Sequence, residues 1–451
     1  MSAPAKGSAA ALPLGARAML GLYGLAWSAV QPGLKRNARL REGWEWRTLA
    51  AGAPPKADLW LQAASGGESY LAWELLRRLP EFLPAACAGK RPTVLVTTFT
   101  RQGLDVLERA RAELAESVDL LPAWFPLDVP KSMLRALDAV APKAVVLLET
   151  ELWPGLLAAC RRRGVPALVL NARMTGKSLG NYRHVPGFWR SLGPKRVLAV
   201  SDDDAARFAR LFPDARTGVM HNIKFDRLDF CAAPARADLA ALLPAPADSQ
   251  PGASAGAQPG APFIVLGSVR KQEEDAVLFL IKGLRERVPG AVIGLFPRHM
   301  DRVDGWEEKL LQAGLPVTRR SGNERARPGT VLLWDAFGEM GAAFALADAC
   351  FLGGSLADLG GQNFLEPLAH GVVPVIGPFW SNFAWVGEEI FETGLVRQER
   401  DQQGVLDALC GLALDIPDKQ AVRAAAENYV QSRRGGAEAA CQAVAEYLIC
   451  G

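Results

Sequence analysis

Five groups of residues have types and spacings suited to chemistry. Ala64-Ser65-Gly66-Gly67-Glu68 closes an apolar run and opens a helical pattern. Glu68 then falls in a first helical turn, where the helix dipole favours an ionised carboxylate. It is a candidate general base, or a helix-terminal charge with no chemical role. Glu149-Thr150-Glu151-Leu152-Trp153-Pro154 follows the apolar run VVLL and sets two carboxylates at a strand end. The alternative is a capping role for a helix starting at Pro154. Phe296-Pro297-Arg298-His299 also ends a strand, and the planar donor fork of an Arg suits a phosphate or carboxylate. Gly353-Gly354-Ser355 and Gly360-Gly361-Gln362-Asn363-Phe364-Leu365-Glu366-Pro367 place glycine pairs at strand and helix ends. Free backbone N–H groups at such points make an anion site, and Glu366, further on, suits a sugar hydroxyl. Lys224, in Asn222-Ile223-Lys224-Phe225-Asp226, is either a cation facing this chemistry or a surface lysine. Neither GxGxxG nor a P-loop occurs.

The elements that must position these residues read as parallel βαβ units. Short apolar runs at 59–64, 93–97, 144–148, 167–170 and 197–200 alternate with helix-period segments. The stretch LPAPADSQPGASAGAQPGAP at 243–262 cannot bury a core and reads as a loop or linker. Strand signals resume at 263–266, 291–296, 331–333, 349–352 and 373–376, and the last 50 residues read as helices. The expected organisation is α/β. An amino-terminal segment spans 1–50, a first domain 51–240, a linker 241–262 and a second domain 263–451. Ligands are expected in the cleft between the halves, at the carboxyl ends of the strands.

At 451 residues the chain has room for two or three domains. Its 51 basic and 48 acidic residues are too balanced for a general nucleic-acid binder. Seven scattered cysteines without a CxxC pair point to a reducing compartment, and four unclustered histidines argue against a zinc enzyme. Residues 12–30 are strongly apolar but interrupted by Arg17, leaving 13 uncharged residues from Ala18 to Val30. A membrane span needs about 20. Lys35, Arg36, Arg39, Arg41 and Arg47 follow, so the first 50 residues carry a net charge of +5. This predicts a membrane anchor or interfacial helix beside anionic lipids, with the body of the protein on the cytoplasmic side. A cleaved signal peptide and a buried amphipathic helix are the alternatives.

Taken in order, the motifs resemble those of the 3-deoxy-D-manno-octulosonic acid (Kdo) transferases, membrane-associated glycosyltransferases of lipopolysaccharide inner-core synthesis. The resemblance rests on SGGE at 65–68, TTFT at 97–100, ETELWP at 149–154, NAR at 171–173 and NIKFD at 222–226. It continues with PRH at 297–299, GEM at 338–340, GGS at 353–355, GGQNFLEP at 360–367 and GP…NF at 377–383. It implies a GT-B architecture, with two Rossmann-like domains facing across a cleft. It also implies CMP-Kdo as donor, a lipid A precursor (lipid IVA) as acceptor, inversion at the anomeric carbon, no metal and no cofactor, at the cytoplasmic face of the inner membrane. Glu68 matches the family's general base. Glu149 and Lys224 match transition-state stabilisers, with Glu151 as the alternative member of the acidic pair. Pro297, Arg298, Gly338, Glu339, Met340, Asn363, Phe364, Leu365 and Glu366 match the CMP-binding segments. The chain departs from the family where Ser-Thr-His is usual, having Ser268-Val269-Arg270 followed by Lys271, and where GGHNP is usual, having Gln362. Arg270 or Lys271 would then take the sugar carboxylate, with Ser268, Gly354 and Ser355 as further donor-sugar contacts. A transferase for another CMP- or UDP-sugar and a non-catalytic binding protein are the competing readings.

Overall fold

A computed structural model describes residues 12–83, 90–228, 230, 235–244 and 261–448. The chain divides into two compact units. One holds the residues up to Leu228 together with the segment from Arg433 on, and the other holds Asp229–Ser432.

The first unit is built on seven parallel strands: β1 (Leu59–Gln62), β2 (Thr93–Thr98), β3 (Asp119–Trp124), β4 (Ala144–Leu148), β5 (Ala167–Ala172), β6 (Arg196–Ala199) and β7 (Arg216–Val219). They lie in the order β3-β2-β1-β4-β5-β6-β7, a doubly wound arrangement. The central strands are buried on both faces, which is why they read as continuous apolar runs. Their side chains divide by the two-residue period of a strand. Trp60, Leu95, Val145 and Val169 enter one core layer, and Leu59, Leu61, Val94, Val96 and Val146 the other.

Six helices of this unit matter for the site. They are α1 (Leu14–Leu34), α2 (Gly66–Phe82), α3 (Pro130–Val140), α4 (Pro154–Arg163), α5 (Gly176–Tyr182) and α6 (Pro186–Ser191). The expected second domain, 263–451, has different bounds in the structure, where the second unit runs from Asp229 to Ser432. The carboxyl-terminal helix Gly436–Ala445 packs on α2 through Ala437, Ala440, Cys441 and Val444, completing the core layer on that side of the first sheet. Its tether is Asp226, whose carboxylate accepts from the N–H groups of Gly435 (2.7 Å) and Ala437 (2.8 Å).

α1 docks by one face only. Ala16 and Leu20 are buried, α3 and α6 pack against the helix, and the Tyr23 hydroxyl donates to Asp128 (3.0 Å). Leu14, Leu22, Leu25 and Val30 remain exposed. No helix among the described residues is long and apolar enough to cross a membrane. The basic flank is also smaller than expected. Arg47 is wholly buried, with its guanidinium on the Glu42 and Phe99 carbonyls and over the Trp124 ring. Burial lowers its pKa to about 10.

The second unit has its own seven parallel strands: β8 (Phe263–Val269), β9 (Val292–Pro297), β10 (Val317–Arg319), β11 (Val331–Leu333), β12 (Ala349–Leu352), β13 (Pro374–Ile376) and β14 (Arg397–Gln398). Their order is β10-β11-β9-β8-β12-β13-β14. The expected Rossmann-like pair of domains is therefore present. Of the expected linker, 241–244 belongs to the second unit, where Leu242 is buried and its carbonyl accepts from the Ala326 N–H (2.8 Å). Residues 245–260 lie outside the described residues.

Candidate active site

Glu68 sits where β1 runs into α2. Ser65 caps α2, its hydroxyl accepting from the Glu68 N–H (3.3 Å) and donating to Glu68 Oε1 (3.1 Å). The Ala64 N–H donates to Oε2 (2.6 Å). This reciprocal cap fixes the carboxyl group. Glu68 thus takes part in capping the helix start, and its carboxyl group is also strongly perturbed by its surroundings. Burial pushes its pKa up to about 7, and the nearby charges of Glu149 and Glu151 push the same way against the lowering effect of its hydrogen bonds. A group poised there is half ionised near neutrality, as a general base requires.

Glu149 and Glu151 leave the end of β4. Glu149 has φ +55°, a left-handed conformation that a non-glycine residue adopts at a cost. Its carboxylate pairs with Lys224 (2.8 Å). Neither acid caps α4. That role belongs to Asp128, which accepts from the N–H groups of Gly155 (2.7 Å) and Leu156 (2.8 Å). Trp153 is held by stacking among Phe99 and Phe125 at 5.0–5.1 Å. Both glutamates are therefore released from the helix start. Burial, then Glu149, raises the pKa of Glu151.

Lys224 lies on a single 3₁₀ turn, Ile223–Phe225, and that turn is positioned by Asn171. Asn171 ends β5 with φ +54°, and its Oδ1 accepts from the Ile223 N–H (3.0 Å). Two residues on, the Arg173 N–H reaches the Glu149 carbonyl (3.3 Å). The Asn-Ala-Arg segment thus ties the acid loop and the lysine turn to one strand end. Sequence reasoning had quoted it without giving it a job; its signal was an asparagine at the end of an apolar strand, a residue that tolerates left-handed backbone.

In the second unit, Ser268, Pro297, Arg298, Gly338, Glu339, Met340 and Glu366 all line one cavity of about 240 Å³. Ser268 has φ +55° and donates to the Met340 sulfur (3.7 Å). Burial raises the Glu366 pKa. Arg298 is exposed and forms no ion pair among the described residues. Glu339 is different. Its carboxylate is held by Arg320 (2.7 Å), Arg236 (3.1 Å) and the Trp334 indole N–H (2.8 Å), which fixes the loop rather than leaving a charge free. Phe337, which sequence reasoning passed over, lines the same cavity and is 78% exposed.

Other expected contacts do not line this cavity. Phe364 and Leu365 are buried, Phe364 among Trp380, Phe383 and Phe391, and Asn363 accepts from the Leu365 N–H (3.2 Å). Gly354 and Ser355 do present a cradle of N–H groups, but the chain fills it itself. The buried Glu273 carboxylate accepts from Gly354, Ser355 (2.9 Å) and Leu356 (2.8 Å). The anion site expected at this glycine pair is occupied by an internal anion. Arg270 and Lys271 flank Glu273 and are also absent from the cavity wall. Among the described residues no three His, Cys, Asp or Glu side chains gather in a metal-binding arrangement.

Two Rossmann-like units, with a buried carboxyl group at a strand end of one and a cavity at the strand ends of the other, make the GT-B architecture. A glycosyltransferase from Rickettsia africae has the same fold, at a TM-score of 0.52 and 11% identity over 87% of this chain and 98% of that one. Residues 37–227 match the family described as 3-deoxy-D-manno-octulosonic-acid transferase (kdotransferase). The 3-deoxy-D-manno-octulosonic acid transferase of Bordetella pertussis is 32% identical over 95% of this chain and 99% of its own length. That of Haemophilus influenzae is 29% identical over 79% and 77%. The chain belongs to the 3-deoxy-D-manno-octulosonic acid transferase family.

Proposed function

We propose that this transferase moves Kdo from CMP-Kdo to a lipid A precursor of the lipid IVA type, with inversion, at the cytoplasmic surface of the inner membrane. The acceptor hydroxyl loses its proton to Glu68 as its oxygen attacks the anomeric carbon, the bond to the CMP phosphate breaks, and CMP leaves with the electron pair. The observation that carries this reading is the Glu68 carboxyl, held by its cap with a pKa near 7 beside the Glu149–Lys224 pair. Lys224 pairs with Glu149 and holds its carboxylate in place, where it faces positive charge developing on the sugar. In the second unit, Arg298 supplies a guanidinium for the departing phosphate and Glu366 accepts from a ribose hydroxyl. Arg270 or Lys271 takes the sugar carboxylate in place of the family's imidazole.

Membrane attachment is interfacial in this reading. The exposed residues Leu14, Leu22 and Leu25 share one side of the helix, and Arg17, Lys35, Arg36 and Arg41 are exposed as well. An amphipathic helix of this kind lies in the plane of an anionic membrane.

The test is CMP release from CMP-Kdo with and without a tetra-acylated lipid A precursor, with the lipid analysed by mass spectrometry. The expected result is acceptor-dependent release and a mass gain of one or more Kdo units. Release with no change in lipid mass, or none with this donor, would overturn the reading.

A further inference from the structure

The first unit contains a second cavity, of about 280 Å³, that the chemistry above does not use. Thr150 and Glu151 of the loop after β4 form one wall, Arg173 after β5 forms another, and Ser178 and Tyr182 of α5 close it. Three observations say what it would hold. Arg173 is anchored through its main chain to the Glu149 carbonyl, yet its guanidinium makes no ion pair or side-chain hydrogen bond among the described residues. A guanidinium with its donors uncommitted, on an anchored main chain and lining a polar cavity, suits a phosphate. The opposite wall carries a carboxylate, so the occupant is not anionic throughout; Glu151 suits hydroxyl groups. The volume lies just below the range for small-molecule sites, about 300–1,000 Å³, which is room for a sugar and its phosphate but not for acyl chains.

The cavity also lies on the side of the unit where a lipid would arrive. The Tyr182 ring packs edge-on against Trp189 of α6, with centroids 4.8 Å apart, and α6 packs on α1. The exposed apolar stripe of α1 is thus one helix away, and Glu149 is two residues from the Glu151 wall.

We propose that this cavity is the subsite for the sugar-phosphate head of the acceptor. Arg173 and the Ser178 hydroxyl bind the phosphate, and Glu151 and the Tyr182 hydroxyl bind sugar hydroxyls. The assignment rests on the acceptor reading given above and adds to it the residues that select a phosphorylated sugar.

The experiment measures binding of the phosphorylated disaccharide head of the acceptor, freed of acyl chains, to the full-length protein. Its dephosphorylated counterpart and inorganic phosphate are the two comparison probes. Arg173→Gln is expected to weaken the phosphorylated disaccharide about tenfold or more, the scale of a charge-assisted hydrogen bond. The dephosphorylated probe should bind weakly and equally to both proteins, and inorganic phosphate at least about tenfold more weakly than the phosphorylated head. In transfer assays the acceptor KM rises and the donor KM does not, and Arg173→Lys recovers part of the loss. Ser178→Ala, on a half-buried helix position, keeps the fold and gives a smaller loss of the same kind. Equal weakening of both disaccharides, no weakening, or phosphate binding as tightly as the disaccharide would overturn the subsite. Failure of the wild-type protein to bind or modify any phosphorylated glycolipid would instead overturn the acceptor reading itself.

Discussion

At the scale of single residues, the candidate mechanism turns on one carboxyl group whose ionisation is set by its surroundings. Burial is the largest influence on Glu68, and the charges of Glu149 and Glu151 act in the same direction, bringing it to about 7. A base must be ionised to work, so kcat/KM is expected to rise with pH through about 7 and then level off. Glu68→Gln should abolish transfer while CMP binding is retained; residual turnover with weakened CMP affinity would contradict the role. Lys224 balances the charge of Glu149. Removing it in Lys224→Met leaves two carboxylates facing Glu68 without a counter-charge, which raises the pKa of a neighbouring acid. The rising limb of the pH profile should therefore move to higher pH, in addition to any loss of kcat. A lower rate with an unmoved limb would mean that Lys224 acts on substrate alone. These acids were legible in the sequence because each sits at the end of an apolar run. Asn171 and Glu273 were not, since their work is to accept hydrogen bonds from backbone groups distant in sequence.

At the scale of elements, the strands that the sequence reveals and those it hides divide by position in the sheet. All ten apolar runs became strands, and the four others, β3, β7, β10 and β14, are the sheet edges. A central strand is covered by helices on both faces and must be apolar throughout, whereas an edge is half covered and reads as a loop. β7 and β14 carry mostly exposed or half-exposed residues, and β3 contains Pro122. The loops between elements hide more, because their geometry depends on partners. The glycine-rich turn at 353–356 presents N–H groups as expected, but they hold no ligand anion: their acceptor is the carboxyl group of Glu273, from a segment some 80 residues earlier. Glu273→Ala leaves two buried N–H groups and one partly buried one without acceptors, at about 1–3 kcal/mol for each buried group. Loss of a large part of the second unit's stability is expected by denaturant unfolding. A loss below about 1 kcal/mol would mean that the turn relaxes to satisfy itself. At Asp128, beside the start of α4, burial outweighs three hydrogen bonds and pushes the pKa up to about 7. Its folded pKa lies above the ordinary value, so the favourable term is complete below about pH 4 and is lost as pH rises through about 7. Stability should fall across that window, and Asp128→Asn should flatten the fall. An unchanged slope in the variant would assign it to other groups, Glu68 among them.

At the scale of the whole molecule, the chain order does not coincide with the folded units. The two α/β halves were legible from the resumption of strand signals after residue 262. The return of the last segment to the first unit was not, because Ala437, Ala440, Cys441 and Val444 make a small-residue stripe that fits any helix. The amino-terminal helix shows a similar ambiguity. Its composition is that of a membrane segment, while its short uncharged run and Arg17 are not, and the structure buries one face and leaves the other exposed. The face bearing Ala16, Leu20 and Tyr23 is spent on the protein, and the face bearing Leu22 and Leu25 is exposed at 66% and 67%. Leu22→Glu combined with Leu25→Glu alters only the exposed face, so thermal stability should change little, as surface substitutions do, within about 0.5 kcal/mol each. Binding to vesicles containing anionic lipid should nevertheless be lost, since two charges replace the apolar contact and repel the head groups. Wild-type binding should weaken as salt is raised from low to physiological strength, because basic side chains at the surface are screened over about 10 Å. Turnover on a detergent-dispersed acceptor should survive the double substitution, while turnover on acceptor embedded in vesicles falls. Retained vesicle binding in the variant would reject the helix as the attachment surface, and equal loss of turnover in detergent and in vesicles would mean that α1 serves the fold of the first unit alone.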